Sequence, residues 1–341
     1  MDVSTPLTAV RETCRYVAQR AEHVTVNRQK CREAATVWAE EEREASTSGS
    51  NGEASFQVGF DFDVHFVDPK DEELTVRYFL VLDSLNFCFW PDADHPDRAE
   101  GEPSMEYQHL AGGLKELLTR NRRALDNSVL VDMTGDLLQK MLEWPRPLPQ
   151  QEERARILRE VGAKLLSDFD GQAANVVRRA NKSAAKLVEL VTGAFPNFRD
   201  HSIYRGRQVF LYKRAQILVG DLWGGFNGAG LGEFTDVDKM TMFADYRVPV
   251  VLRQLGILEY SDVLSRIVEE KEEEMEACSR FEVEIRACTV MAVEALRQEI
   301  LKQTGERVAL PPLDWWLWEK GESDVRNGTA PPHHRVRTIF Y

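Results

Sequence analysis

The stretch "FQVGFDFDVHFVDPKDEELTVRYFLVLD", residues 56–83, decides whether this chain carries a sheet element or is helical throughout. In its first half Phe56, Val58, Phe60, Phe62, Val64 and Phe66 alternate without a break against Gln57, Gly59, Asp61, Asp63 and His65. Period two sends successive side chains to opposite faces of an extended chain, and it predicts a half-buried strand. After the turn "DPKDEE", the run "LTVRYFLVLD" at 74–83 reads as a second strand. The two together predict an antiparallel pair, the core of a small β element. Asp61, Asp63 and His65 would share its wet face, where a metal site is the sharper reading. Positions i, i+2 and i+4 of a strand span about 13 Å, too far for one ion to hold all three, so a solvated face is preferred.

Outward from that element the pattern is helical. Upstream, Thr5-Pro6 suits an N-cap with proline at the first helical position, and Leu7, Val10, Cys14, Val17, Ala18 and Ala21 form one apolar stripe. A second helix is expected over 29–44, then a polar Gly/Ser-rich loop, "ASTSGSNGEA", at 45–54. Downstream, "SLNFCFWPDADHPD" leaves the β element through an aromatic cluster and a turn. From Tyr107 onward helices are predicted over 109–121, 128–133, 134–142, 151–169, 173–192, 214–226, 235–255, 261–269 and 272–303, with a Pro-rich connector, "EWPRPLPQQEERARI". "GGFNGAGLGEF" at 224–234 lacks the Lys-Ser/Thr of a phosphate loop and reads as a turn, and "EEKEEEMEA" reads as a solvated helix face. The expected architecture is mainly α in a single domain, 1–341: N-terminal helices to 44, a loop over 45–55, a β element over 56–90 and a helical body over 107–341.

Composition narrows the function. The formal charge of −13 opposes binding of a polyanion unless a local basic patch overcomes it, whereas a few placed cations suffice for a small anionic ligand. Five scattered cysteines with no C-x-x-C pair fit a reducing compartment. No apolar leader opens the sequence and no window approaches the ~18 apolar residues of a membrane span, so a cytoplasmic location is expected. No metal and no cofactor are expected.

Four segments carry candidate chemistry. In "TMFADYRVP" Asp245 sits among apolar residues, where a carboxylate is costly to bury unless paired or used; composition alone favours an ion pair with Arg247 or Lys239. "LYKRAQILVGDLW" puts Lys213 and Arg214 at a helix start, where cations oppose the macrodipole unless an anion meets them, and Asp221 near its end. In "LDWWLWEKG" Asp314 and Trp318 are i, i+4 on a short helix entered through Pro311-Pro312; core packing explains the tryptophans, and an acid beside an indole would also suit a heteroaromatic base. His333 and His334 in "PPHHRVRTIFY" are adjacent, so one ion would not take both, and the apolar end of that segment is expected to anchor the tail, with Arg335 and Arg337 as anion ligands at most.

Taken together, "VLDSLNFCFWPD", "YKRAQILVGDLW", "TMFADYRVPVVLRQLG", "LDWWLW" and the terminal "HHRVRTIFY" resemble the queuosine salvage protein family, in the family's order from about Leu80 to the last residue. The resemblance implies a helical fold like that of DNA glycosylases, and hydrolysis of the bond between ribose and a 7-deazaguanine base in queuosine 5′-phosphate, releasing queuine. It implies Asp245 as the catalytic carboxylate, Phe243 as a base-stacking side chain, and Tyr246, Arg247, Asp314 and Trp318 as further substrate contacts. Lys213, Arg214 and Arg247 are the motif cations for the 5′-phosphate, and Asp221 and Glu319 are further candidate substrate contacts. Three features depart from the family pattern: Glu319 stands where a shorter acid is expected, Trp315 and Trp316 replace tyrosines, and the 56–67 stretch matches nothing in it. A nucleic-acid glycosylase and a non-catalytic nucleoside-binding module are the rival expectations, the first opposed by the charge.

Overall fold

The chain opens with α1 (Pro6–Ala18), β1 (Val24–Val26) and α2 (Arg28–Ser48), and where two strands were expected it forms a turn and a helix, α3 (Glu72–Leu85). The structure is a computed structural model and describes residues 2–48, 60–90, 105–269 and 274–341. The 45–54 loop lies outside the described residues except for 45–48, which end α2; so do 56–59, the 91–97 turn and part of the 269–277 acidic run.

The β element at 56–83 is therefore corrected. Asp61 bends the chain, its Oδ1 accepting the Asp63 and Val64 N–H groups at 2.8 and 3.2 Å and its carbonyl accepting from His65 at 3.1 Å. The alternation breaks as a result: His65 is buried beside Phe66, and Phe62 is 41% exposed. The metal-face reading loses its premise with the strand. In α3 every residue from Leu74 to Leu85 is buried, including Arg77 and Asp83. A helix buried on all sides shows no stripe, and a short apolar run does not separate it from a core strand by periodicity. The missed signal was the helix start "DEE": Asp71 accepts the Leu74 N–H at 3.0 Å, and Glu72 and Glu73 occupy the first turn.

The rest of the helical body follows the expected order: α4 (Tyr107–Arg120), α5 (Asn127–Leu130), α6 (Gly135–Met141), α7 (Gln151–Asp168), α8 (Ala174–Arg179), α9 (Ala184–Ala194), α10 (Lys213–Gly225), α11 (Val248–Gln254), α12 (Asp262–Glu269), α13 (Arg280–Thr304) and α14 (Leu310–Arg326). Three predicted helices are shorter than expected: that over 272–303 begins only at Arg280, with 274–277 of the acidic run in extended and turn conformation and not a helix face. That over 173–192 breaks at Asn181 and Lys182, both at positive φ (49° and 61°), and restarts where Ser183 accepts the Lys186 N–H at 3.1 Å. That over 235–255 survives only as α11. Pro249 lacks the N–H that a longer helix would need and its ring would clash with the carbonyl of residue 245.

The β structure lies elsewhere than expected, in two short antiparallel pairs that periodicity did not show. β2 (His201–Tyr204) pairs with β3 (Arg207–Phe210), and β1 pairs with β4 (Leu258–Tyr260). The first is a hairpin closed by Arg205 and Gly206 at φ 48° and 74°, the positive-φ pair that a tight two-residue turn requires.

Two compact units divide the chain. The first comprises 1–60, 200–216 and 236–337, the second 61–199, 217–235 and 338–341. The first is built on α13, whose residues 282–290 are buried on every side, with α1, α2, α11 and the β1–β4 ladder packed against it and α14 against α11. The second is built on α3, against which α4, α7 and α8 pack. Arg154 of α7 is fully buried there and donates to the carbonyls of Leu85, Phe87, Cys88 and Pro149, which fixes the exit from α3 into the aromatic segment. Tyr341 is fully buried and its carbonyl accepts the Cys88 N–H at 2.9 Å, so the terminus is anchored as expected.

Candidate active site

Residues 240–247, within the first unit, form no regular element after a single 3-10 turn at Val237–Lys239, yet all of 240–245 are buried. A buried backbone must find partners for its N–H and C=O groups, and here distant side chains supply them. Arg297 of α13 donates to the Met240 carbonyl at 3.3 Å. Gln216 of α10 accepts the Thr241 N–H at 3.0 Å, Asp314 of α14 accepts the Phe243 N–H at 3.0 Å, and Arg286 of α13 donates to the Ala244 carbonyl at 2.9 Å. Three helices thus hold one irregular strand of chain in register.

At its end sits Asp245, 8% exposed. Its Oδ1 accepts the N–H groups of Arg247 and Val248 at 3.1 and 2.9 Å, and so meets two backbone donors at the entry to α11. Its Oδ2 accepts no hydrogen bond among the described residues. Burial pushes this carboxyl above its ordinary value, opposed by the positive charge of Lys213, the two backbone donors and Arg247. The result is a dry carboxylate with one oxygen committed to structure, the other uncommitted, and a buried ammonium favouring its ionised form.

The expected ion pair takes a different form. Arg247 donates to Asp245 through its backbone only; its Nε pairs with Glu322 of α14 at 2.8 Å, both side chains largely buried. Neither Nη of Arg247 makes a hydrogen bond among the described residues. Gly321 permits this packing: a Cβ there would stand 2.8 and 2.9 Å from the Arg247 Cγ and Cδ, and 3.0 Å from Val251. Lys239 is not a partner of Asp245 either; its carbonyl accepts from Arg11 at 3.0 Å. The Tyr246 ring lies 4.6 Å from His333 and beneath the Arg247 guanidinium at 5.5 Å. Burial pushes His333 down to about 3, so the imidazole is neutral near pH 7.

The remaining candidates separate. Phe243 and Asp314 are joined through the backbone bond above, so the acid supports the segment that carries the phenyl ring. Lys213 and Arg214 are both buried at the start of α10. Trp318 shares α14 with Asp314 and is half-buried. Glu319 is exposed and pairs with Arg326 on the surface, as an acid engaged away from any cavity wall would be. Asp221 belongs to the second unit, where it is buried and hydrogen-bonds Tyr107; burial together with the charges of Asp221 and Asp83 holds that phenol well above its usual value. Sequence reasoning missed Gln216, Arg286, Asp200 and Glu322. All lie well over twenty residues from Asp245, and no local pattern announces a side chain that serves a remote backbone. Pro249 was the available signal that a helix over 235–255 could not run unbroken past residue 245.

Comparison with known proteins supports the motif reading. The family model described as queuosine salvage protein matches residues 65–341. A queuosine 5′-phosphate N-glycosylase/hydrolase of Dictyostelium discoideum is 41% identical over 343 residues, covering 98% of this chain and 99% of the relative. Proteins of the same description from Sphaerobacter thermophilus and Mus musculus are 43% identical over 280 residues (82% of this chain, 84% of the relative) and 33% identical over 356 (98% and 99%). With its motifs in order and relatives matched along nearly their whole length, this chain belongs to the queuosine salvage protein family.

Proposed function

We propose that this chain hydrolyses the N-glycosidic bond of queuosine 5′-phosphate and releases queuine, with Asp245 as the reacting carboxylate. The observation that carries the site assignment is the Oδ2 of Asp245: in a dry, cation-flanked setting it is the oxygen that the fold leaves uncommitted. When the bond from ribose C1′ to the base breaks, its electron pair leaves with the base and positive charge develops on the sugar. A preorganised carboxylate stabilises that charge, or attacks C1′, more strongly than it would in water. Water then supplies the hydroxyl to C1′ and a proton to the base. A 7-deazaguanine has no N7 to protonate, so its developing charge must be spread through hydrogen bonds at its pyrimidine edge.

The same reading gives the neighbouring residues supporting roles. Phe243 stacks on the base, Asp314 keeps its backbone in place, and Trp318 extends the aromatic surface. Arg247, anchored at Nε by Glu322, offers its two Nη groups to the 5′-phosphate, with Lys213 and Arg214 as the other cations. Tyr246, under the Arg247 guanidinium, is a further substrate contact in this reading; Asp221 and Glu319 are assigned no direct step. No metal or cofactor takes part in this scheme. Among the described residues no helix is long and apolar enough to cross a membrane. The five free cysteines favour a cytoplasmic setting.

The test is to mix the protein with queuosine 5′-phosphate and quantify free queuine by mass spectrometry, beside Asp245→Asn. Wild-type release with loss in the variant is expected. A fully active Asp245→Asn would remove the carboxylate from the mechanism, and ligand binding without release by the wild type would instead favour a nucleoside-binding module.

A further inference from the structure

Arg286 lies on the central helix α13 at 2% exposure, a costly place for a charge unless its donors are met. Its Nη1 and Nη2 bond both carboxylate oxygens of Asp200 at 3.0 and 2.7 Å, Glu282 stands 3.6 Å from Nη1, and Nε takes the Ala244 carbonyl at 2.9 Å. Ala244 directly precedes Asp245. Asp200 in turn holds the entry to α10: its Oδ2 accepts the Lys213 N–H at 3.0 Å, and its carbonyl accepts the N–H groups of Leu211 and Tyr212, each at 3.1 Å. Tyr212 is at φ 49°, a left-handed conformation that a residue with a Cβ adopts only under constraint. One guanidinium therefore ties the backbone bearing the carboxylate to the residue that constrains the backbone bearing the ammonium.

We infer that Arg286, acting with Asp200, is a positioning residue that sets the placement of the Asp245 carboxylate against Lys213. This rests on the catalytic reading of Asp245. A lysine at 286 would keep the charge but not the planar fork that reaches Asp200 twice and Ala244 once. Of the other charged or titratable groups along this segment, Arg247 pairs with Glu322, Asp314 accepts the Phe243 N–H, His333 lies against Tyr246, and His334 is buried near the Arg286 charge; among the described residues none of them joins the two backbones.

The test is Arg286→Lys, with steady-state release of queuine followed against pH. Misplacement by about an ångström is expected to lower kcat about 10- to 100-fold with KM within about threefold. The acid limb of kcat/KM should move to higher pH, because Lys213 would no longer hold the carboxylate ionised as strongly. Leu296→Ala, a cavity elsewhere on α13, controls for stability: it should lower Tm without moving the limb. Should Arg286→Lys not fold, Asp200→Asn takes its place, with a smaller loss in the same direction and the same shift. Wild-type kcat and an unmoved limb in the folded variant would overturn the inference, as would a kcat loss that Leu296→Ala reproduces without a limb shift. If Asp245→Asn is itself fully active, the catalytic reading has failed; if that variant is dead and Arg286→Lys is normal, only the positioning role has.

Discussion

Helix α3 and the segment 240–247 are both buried, mostly apolar runs with an acid inside, yet their backbones are satisfied in opposite ways. In α3 the helix closes its own N–H and C=O groups, and Asp71 supplies the cap from the adjoining turn. In 240–247 the backbone turns to Gln216, Arg286, Arg297 and Asp314, which are remote in sequence or lie on other elements. A self-sufficient element can tolerate change at its neighbours. A segment held from three helices places a carboxylate in one position and fails when any of its supports goes. That is the arrangement a catalytic group requires.

The comparison is broken or sharpened by substitution. Asp245→Asn should cost about 10³-fold or more in queuine release, while the fold survives because the amide oxygen still meets the two backbone donors. Its stability should show the sign of the buried charge. The folded carboxyl titrates above 3.8, so the native state holds its proton more tightly and the wild type loses stability as pH rises from 3.8 through the raised value. The variant does not titrate, so its Tm should match the wild type in acid and exceed it near neutrality; an equal or lower Tm at pH 7 would argue against a desolvated charge.

Asp314→Ala leaves the Phe243 N–H buried without an acceptor. It should lower kcat/KM by about 10- to 100-fold and stability by about 1–3 kcal/mol, with Asp314→Asn milder on both counts. Unchanged kinetics in Asp314→Ala would mean the segment holds itself. His333 should act through pH: folded at about 3 and unfolded at 6.5, it contributes stability that is complete above 6.5 and lost as pH falls toward 3. Urea unfolding of His333→Gln between those values should fall less steeply than that of the wild type. The smallest effect belongs to α3. Asp71→Ala should cost about 1 kcal/mol in chemical denaturation through the lost cap and leave turnover unchanged; a large kinetic effect would erase the contrast between the two regions.

How far the sequence could be read depends on where the information lay. The α1 start at Thr5-Pro6, the limits of α7 and the buried terminus were legible because caps, prolines and stripes are local. Over 56–83 the alternation of the first half points to strands while the one helix signal is the start at Asp71, and a fully buried helix offers no period to count. The family was legible through motifs such as "TMFADYR" and "LDWWLW", but the construction of the segment that carries Asp245 was not.

By itself the sequence determined the mainly helical class and the family, since these reside in residue types at fixed spacing, and it singled out Asp245 as the candidate acid. Tertiary structure alone decided that 240–247 is irregular chain, that Arg247 answers to Glu322 and not to the Asp245 side chain, and that Arg286 and Asp200 stand behind the carboxylate. The reason is physical: a buried polar group is satisfied by whatever partner folding brings within about 3 Å, and sequence distance places no limit on which residue that is.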